Sequence, residues 1–177
     1  MAASILGERS ADGSIAGSLA ALLGSDPEPS VRAAAAQALA ASSDPAPLLA
    51  AGDDVTAEVR EAIAYALGEI GDAAALPWLQ RAAAGDGDDG TREAAVAALG
   101  AIGDESSVPL LVELGSSAPP KVRRRAVVAL SAFETPDALS AIQAALNDRN
   151  PMVKEVAEML AGGNDDLLWP RKLPSDD

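Results

Sequence analysis

Arg123, Arg124 and Arg125 form the only basic cluster in a chain that carries 27 acidic and 13 basic residues. Arginine forks hold carboxylates and phosphates through paired N–H donors, so this triplet could grip an anionic group on a partner. The competing reading makes one of the three structural and leaves the others solvated. Against a formal net charge of −14 the cluster is too small for nucleic acid, whose phosphates such a chain repels. Among the acids, Gly85-Asp86-Gly87-Asp88-Asp89-Gly90 has the outline of a calcium loop, because hard cations want several carboxylates on a flexible turn. A calcium-binding helix-loop-helix needs a glutamate twelve residues into the loop, and Ala97 stands there. A plain inter-helix turn is the expectation, with no metal. Pairs such as Asp53-Asp54 fall in turns, with no apolar pocket evident to raise a pKa. The chain has no Cys and no His, which removes disulfides, thiolate and ordinary zinc sites, Ser-His-Asp chemistry and imidazole acid–base catalysis. The residues present predict no catalytic site, no cofactor and no enzyme.

Whatever these residues do depends on the elements that hold them, and those elements recur. With Arg123 as a marker, the equivalent basic residues are Arg32, Arg60, Arg92 and Lys154, and the five lie at successive spacings of 28, 32, 31 and 31. The residue before each marker is Val31, Val59, Thr91, Val122 or Val153. Seven positions after the first four stand Leu39, Leu67, Leu99 and Leu130, with Leu160 one place early in the fifth copy. Six positions before the markers are Asp26, Asp54, Asp86, Ser117 and Asp148; twelve after are Asp44, Asp72, Asp104, Thr135 and Asp166. Columns of this kind announce a repeat architecture.

Each marker opens a long helix whose apolar residues follow a 3.6 period: Val122, Ala126, Val127, Ala129, Leu130 and Phe133 in the fourth copy. Prolines such as Pro120 and Pro151 suit first turns, where a missing N–H does no harm. Gly71, Gly103 and Gly162 or Gly163 mark exits. A shorter helix follows each exit, with Asp72, Asp104 or Thr135 as N-cap; Leu48 and Leu49 belong to a shortened copy, and Ile15 to Leu23 to the first. The reading is an all-α solenoid of about five stacked antiparallel helix pairs, near 14–42, 44–70, 72–102, 104–133 and 135–162, because no pair can bury its apolar face alone. Trp78 is expected to fill a gap between units. Residues 1–13 read as a frayed segment without secretory character, and 163–177 as a C-terminal cap or docking tail, in which Leu167, Leu168 and Trp169 cover the last repeat or enter another subunit. No run approaches the roughly 18–20 apolar residues that cross a bilayer, so no membrane insertion and a cytoplasmic location are expected.

The columns resemble HEAT repeats, specifically the phycobilisome-lyase HEAT-like kind. The residues that carry the likeness are Val59-Arg60-Glu61-Ala62 with Ala66-Leu67-Gly68-Glu69-Ile70-Gly71-Asp72 and Leu76-Pro77-Trp78-Leu79. The phrase returns as Arg92-Glu93-Ala94-Ala95 with Ala98-Leu99-Gly100-Ala101-Ile102-Gly103-Asp104 and Val108-Pro109-Leu110-Leu111. The likeness spans roughly residues 14–162. It implies a right-handed superhelix with the second helix of each pair lining the concave face. It also implies a ladder in which Asp26, Asp54, Asp86 and Asp148 pair with the markers Arg32, Arg60, Arg92, Arg123 and Lys154 of neighbouring units, weakened where Ser117 replaces Asp.

On each second helix, the positions one and five after the marker share a face. They are Ala33 and Gln37, Glu61 and Tyr65, Glu93 and Ala97, Arg124 and Val128, Glu155 and Met159. If the second helices line the concavity, Glu61, Tyr65, Glu93, Arg124, Arg125, Val128, Glu155 and Met159 are the partner-binding surface, with Trp169 in the tail as a further contact. Tyr65 is the natural anchor, offering large contact area for little lost rotamer entropy. The bland alternative leaves these as solvated helix positions. The function expected is a non-catalytic scaffold or accessory subunit that binds another protein within a larger complex. The alternative, implied by the resemblance, is a bilin-lyase-type subunit acting with a partner. A consensus-like stable array is a third reading, which the irregular spacing and the tail disfavour.

Overall fold

A computed structural model describes residues 15–162; the segments 1–14 and 163–177, with the frayed-segment and tail readings and Trp169, lie outside the described residues. Every regular element among them is helical. In chain order these are α1 (15–25), α2 (Pro29–Leu39), α3 (Ala46–Ala50), α4 (Ala57–Ile70), α5 (Leu76–Gly85), α6 (Asp89–Ile102), α7 (Val108–Ser117), α8 (Pro120–Leu130), α9 (Pro136–Ala145) and α10 (Pro151–Gly162). Odd-numbered helices form one layer and even-numbered helices, which carry the markers, form the other.

Local sequence sets the ends. Gly71 and Gly103 stop α4 and α6 with φ of 73° and 71°, a left-handed conformation that side chains resist. Gly162 is still helical in α10, and Gly163 lies outside the described residues. Asp72 and Asp104 do not cap α5 and α7 directly, as the sequence suggested. Each caps a short 3₁₀ turn, Ala73–Ala75 or Glu105–Ser107. The cause is Pro77 and Pro109: with no N–H they cannot close an α-type bond onto Ala73 or Glu105. The amides of Leu76 and Val108 close the tighter i→i+3 bond instead.

The core is one continuous column between the layers. Leu39, Leu67, Leu99 and Leu130 are all fully buried, and Leu160 packs against the column half-buried at its end. Val122, Ala126, Val127, Ala129, Leu130 and Phe133 are buried as their period requires. Trp78 is buried with its indole against Gly52, in the loop of the preceding pair, so it does fill a seam between units. The marker helices pack on one another in an unbroken series: α2 on α4, α4 on α6, α6 on α8, α8 on α10. The odd-numbered layer is looser, with α5 touching α7 only slightly. Closer packing on one side bends such a stack toward it, in keeping with the inner position that the resemblance implies for the marker helices.

Candidate functional site

The markers do their first work inside the fold. Arg32 donates from Nε to Asp54 at 2.7 Å and from Nη2 to the other oxygen at 3.0 Å. Arg60 grips Asp86 at 2.7 and 2.8 Å, and Arg123 grips Asp148 at 2.9 and 2.7 Å. Each arginine also donates to a carbonyl of its own loop, on Asp26, Asp54 or Ala118. Each aspartate accepts the amide two residues on, from Thr56, Asp88 or Asn150. One rung thus locks two successive loops. The bound guanidinium holds the carboxyl of Asp54, Asp86 and Asp148 below the usual range, partly opposed by burial.

The third rung, at Arg92, is missing. Arg92 turns to the Ala83 carbonyl at 3.1 Å and lies 3.6 Å from Asp89. The position facing it is not Ser117 but Ala118. Ala118 closes α7 as Asp86 closes α5, and its carbonyl is the one Arg123 holds. The loop before α8 is one residue shorter than the others, so a fixed count of six picked Ser117, which is exposed and bonds to the Glu113 carbonyl. Asp26 and Lys154 are the two ladder ends. The Asp26 carboxylate accepts the Glu28 amide in its own turn, at 2.9 Å, and Lys154 lies 3.8 Å from Glu158 on an exposed face.

Across the same α6–α8 seam, on the inner face, Glu93 sits 3.3 Å from Arg125 and 3.8 Å from Arg124. Two guanidiniums share one carboxylate there. Nε of Arg125 is buried and has no acceptor among the described residues. Arg124 and Arg125 remain 38% and 33% exposed, so donors on both can still reach solvent or a ligand. Toward α4 the surface turns acidic. Burial pushes the Glu61 carboxyl up, reinforced by Asp88, Glu93 and Glu58 nearby. Tyr65, Val128, Glu155 and Met159 are exposed on the same layer, whereas Ala33 is buried and Ala97 half-buried. The carboxylates of the Gly85–Gly90 turn are engaged in folding: Asp86 in the ladder, Asp88 as the cap that accepts the Thr91 amide at 2.9 Å. Among the described residues no group of three or more acids could hold a metal ion, and no helix is long and apolar enough to cross a membrane.

A family profile described as HEAT repeats matches residues 1–67 and 46–120, together more than half of the chain. The chain belongs to the HEAT-repeat family. A second profile, PBS lyase HEAT-like repeat, matches residues 122–148, from α8 to the last ladder aspartate. No curated protein matches the chain in sequence. A chain in the complex of CpcE and CpcF of phycocyanin lyase from Nostoc sp. PCC7120 is similar in structure. Its TM-score is 0.70 at 24% identity, over 84% of this chain and 98% of that one. Human deoxyhypusine hydroxylase in complex with glycerol gives 0.55 at 17% identity, covering 89% and 98%. An engineered protein gives 0.57 at 21%, covering 82% and 77%. At these identities the likeness is one of fold.

Within this HEAT array the sequence reading missed one contact that matters. It placed Glu93 and Arg125 on the same surface without pairing them. They are 32 residues apart, one repeat plus one, and meet across the α6–α8 seam. The Arg124–Arg125 pair therefore has a structural share, bridging the seam that lacks a ladder rung.

Proposed function

We propose that this HEAT-repeat chain is a non-catalytic scaffold or accessory subunit that binds a protein partner on the inner face of α4, α6, α8 and α10. The observation that carries the reading is the shared carboxylate of Glu93. Two arginines converge on it, retain unused donors, and lie between Tyr65 on one side and Val128 and Met159 on the other. A partner carboxylate could take those donors bidentately, while the exposed apolar residues supply contact area. Glu61 and Glu155 flank the site and favour basic groups at its rim. Net acidity supports a protein ligand over nucleic acid. Crosslinking in the native source, followed by peptide mapping, tests it: crosslinks should concentrate on Lys154 and on acidic residues of the even-numbered helices. Crosslinks confined to the odd-numbered layer, or recovery of the free chain alone at low salt, would contradict it.

A second reading has its own support in the lyase-type profile at residues 122–148 and the similar chain in the phycocyanin lyase complex. In it the chain is one subunit of a bilin-handling assembly, and the partner is the other subunit. Incubation with a bilin, alone and with the crosslinked partner, decides this. Retained visible absorbance in the complex supports it, and colour lost on desalting in both cases removes it.

A further inference from the structure

The two ends of the stack are built differently. Contacts inside the array fix which positions of a marker helix face forward and which face back. One and eight residues after the marker face forward: Glu93 meets Arg125, and Gly100 meets Ala129. One before, two after and six after face back, as Thr91, Arg125 and Ala129 do, Thr91 through its hydroxyl on the Ala57 carbonyl at 3.3 Å. The residue four after the marker is buried in the first four pairs, as Ala36, Ala64, Val96 and Val127, and becomes exposed Glu158 in the fifth. A further repeat stacked on α10 would bury that carboxylate, so among the described residues the α10 face is set against extension.

The N-terminal end lacks any such device among the described residues. The back-facing residues of α2 are Val31, Ala34 and Ala38, all exposed, whereas their counterparts Val59, Ala62 and Ala66 are buried. Ile15, 60% exposed, and Leu22 extend the apolar area, and a groove of about 470 Å³ runs between α1 and the end of α2. Asp26 repeats the acceptor geometry of the ladder. Its oxygen takes the Glu28 amide at 2.9 Å, as Asp54 takes that of Thr56 at 2.8 Å, yet none of the described cations pairs with it.

We propose that this end-face docks the terminal helix pair of a second helical-repeat protein. Its last long helix would offer an arginine to Asp26 and small apolar residues to Val31, Ala34 and Ala38. Charge complementarity and continuity with the internal interface commit the face to that occupant. Head-to-tail stacking of native copies is opposed by Glu158, which would be buried unpaired against α2, and a face-to-face pair of copies would not reproduce the internal contact of a forward face on a back face. Glu158 thereby also opposes the open-ended stacking that a heterologous contact otherwise invites.

The chain itself supplies the probe. Lys154→Arg with Glu158→Ala gives its C-terminal end the internal pattern. In sedimentation velocity this double variant should gain a concentration-dependent association, at least doubling the weight-average mass relative to wild type. Adding Asp26→Lys should return it to wild-type behaviour, with unchanged helicity by circular dichroism. Adding Arg124→Glu instead should leave the association intact, which separates this face from the inner-face site. Association that survives Asp26→Lys, or none in the double variant, overturns the proposal. Association that appears only after residues 1–14 are deleted assigns the face to that segment, and wild-type association lost on Asp26→Lys assigns it to a second copy; either overturns it as well.

Discussion

Asp148 shows how much one carboxylate does in this molecule. It caps its own turn and neutralises Arg123, which is 1% exposed. Asp148→Ala would leave a buried guanidinium without a counter-charge, and breaking such a pair costs about 3–5 kcal/mol; urea denaturation should show a loss in that range. The missing rung gives the converse test. Ala118→Asp should offer Arg92 a carboxylate and raise the melting temperature, while Ser117→Asp, one residue away and exposed, should change stability by less than about 0.5 kcal/mol. Most of the ladder followed from the family resemblance, applied to the aspartates that recur six before the markers. The gap was expected at the right repeat but on the wrong residue, since column counting assumes constant loop length and the loop before α8 has lost a residue. Acid should expose the rungs together. Asp54, Asp86 and Asp148 have folded pKa values below the unfolded value of about 3.9. Their contribution is complete above that pH and falls as pH drops through the folded values. Glu61 has the opposite sign. Its raised folded pKa makes stability increase as pH falls from that value toward the unfolded value of about 4.3. Glu61→Gln should therefore stabilise the protein at pH 7 and flatten that part of the profile, read as melting temperature against pH.

At the scale of the element, the inner layer depends on how closely the marker helices approach. A Cβ at Gly100 would lie 2.8 Å from the Ala129 Cβ and 2.9 Å from its Cα, and Gly68 meets Ala98 in the same way. Gly→Ala in a helix interior ordinarily gains up to about 1 kcal/mol. At Gly100 the sign should reverse, because backbone rather than a flexible side chain blocks the space and the helices must part. Gly115 in α7 is the control: its nearest neighbour would be Leu130 at 3.8 Å, so Gly115→Ala should stabilise. Thermal melts of the two variants moving in the same direction would contradict this packing account. The sequence showed these glycines only as a repeated Leu-Gly phrase. That their purpose is close contact becomes clear only when the offset between neighbouring helices is known. The 3₁₀ turns before α5 and α7 were in principle legible, since Pro77 and Pro109 remove the amide an α-turn would need.

At the scale of the whole molecule, stacking five pairs produces what no pair has, an inner surface running from Tyr65 to Met159 and two distinct ends. The solenoid was legible because period, caps and spacing agree over the described residues. The binding surface was legible as a set of positions but not as an arrangement, since the pairing of Glu93 with both arginines depends on helix register across the seam. That pairing predicts some loss of stability when the arginines are changed. The exposed pair contributes no more than about 1 kcal/mol, too little to unfold the array. The most direct test is the affinity of the crosslinked partner for wild type and for Arg124→Glu/Arg125→Glu, measured by calorimetry at low and high salt with helicity checked. The variant complex should be at least tenfold weaker, equivalent to about 1.4 kcal/mol, with the difference shrinking as salt screens the charges. An unchanged affinity in a fully helical variant would contradict the inner-face site.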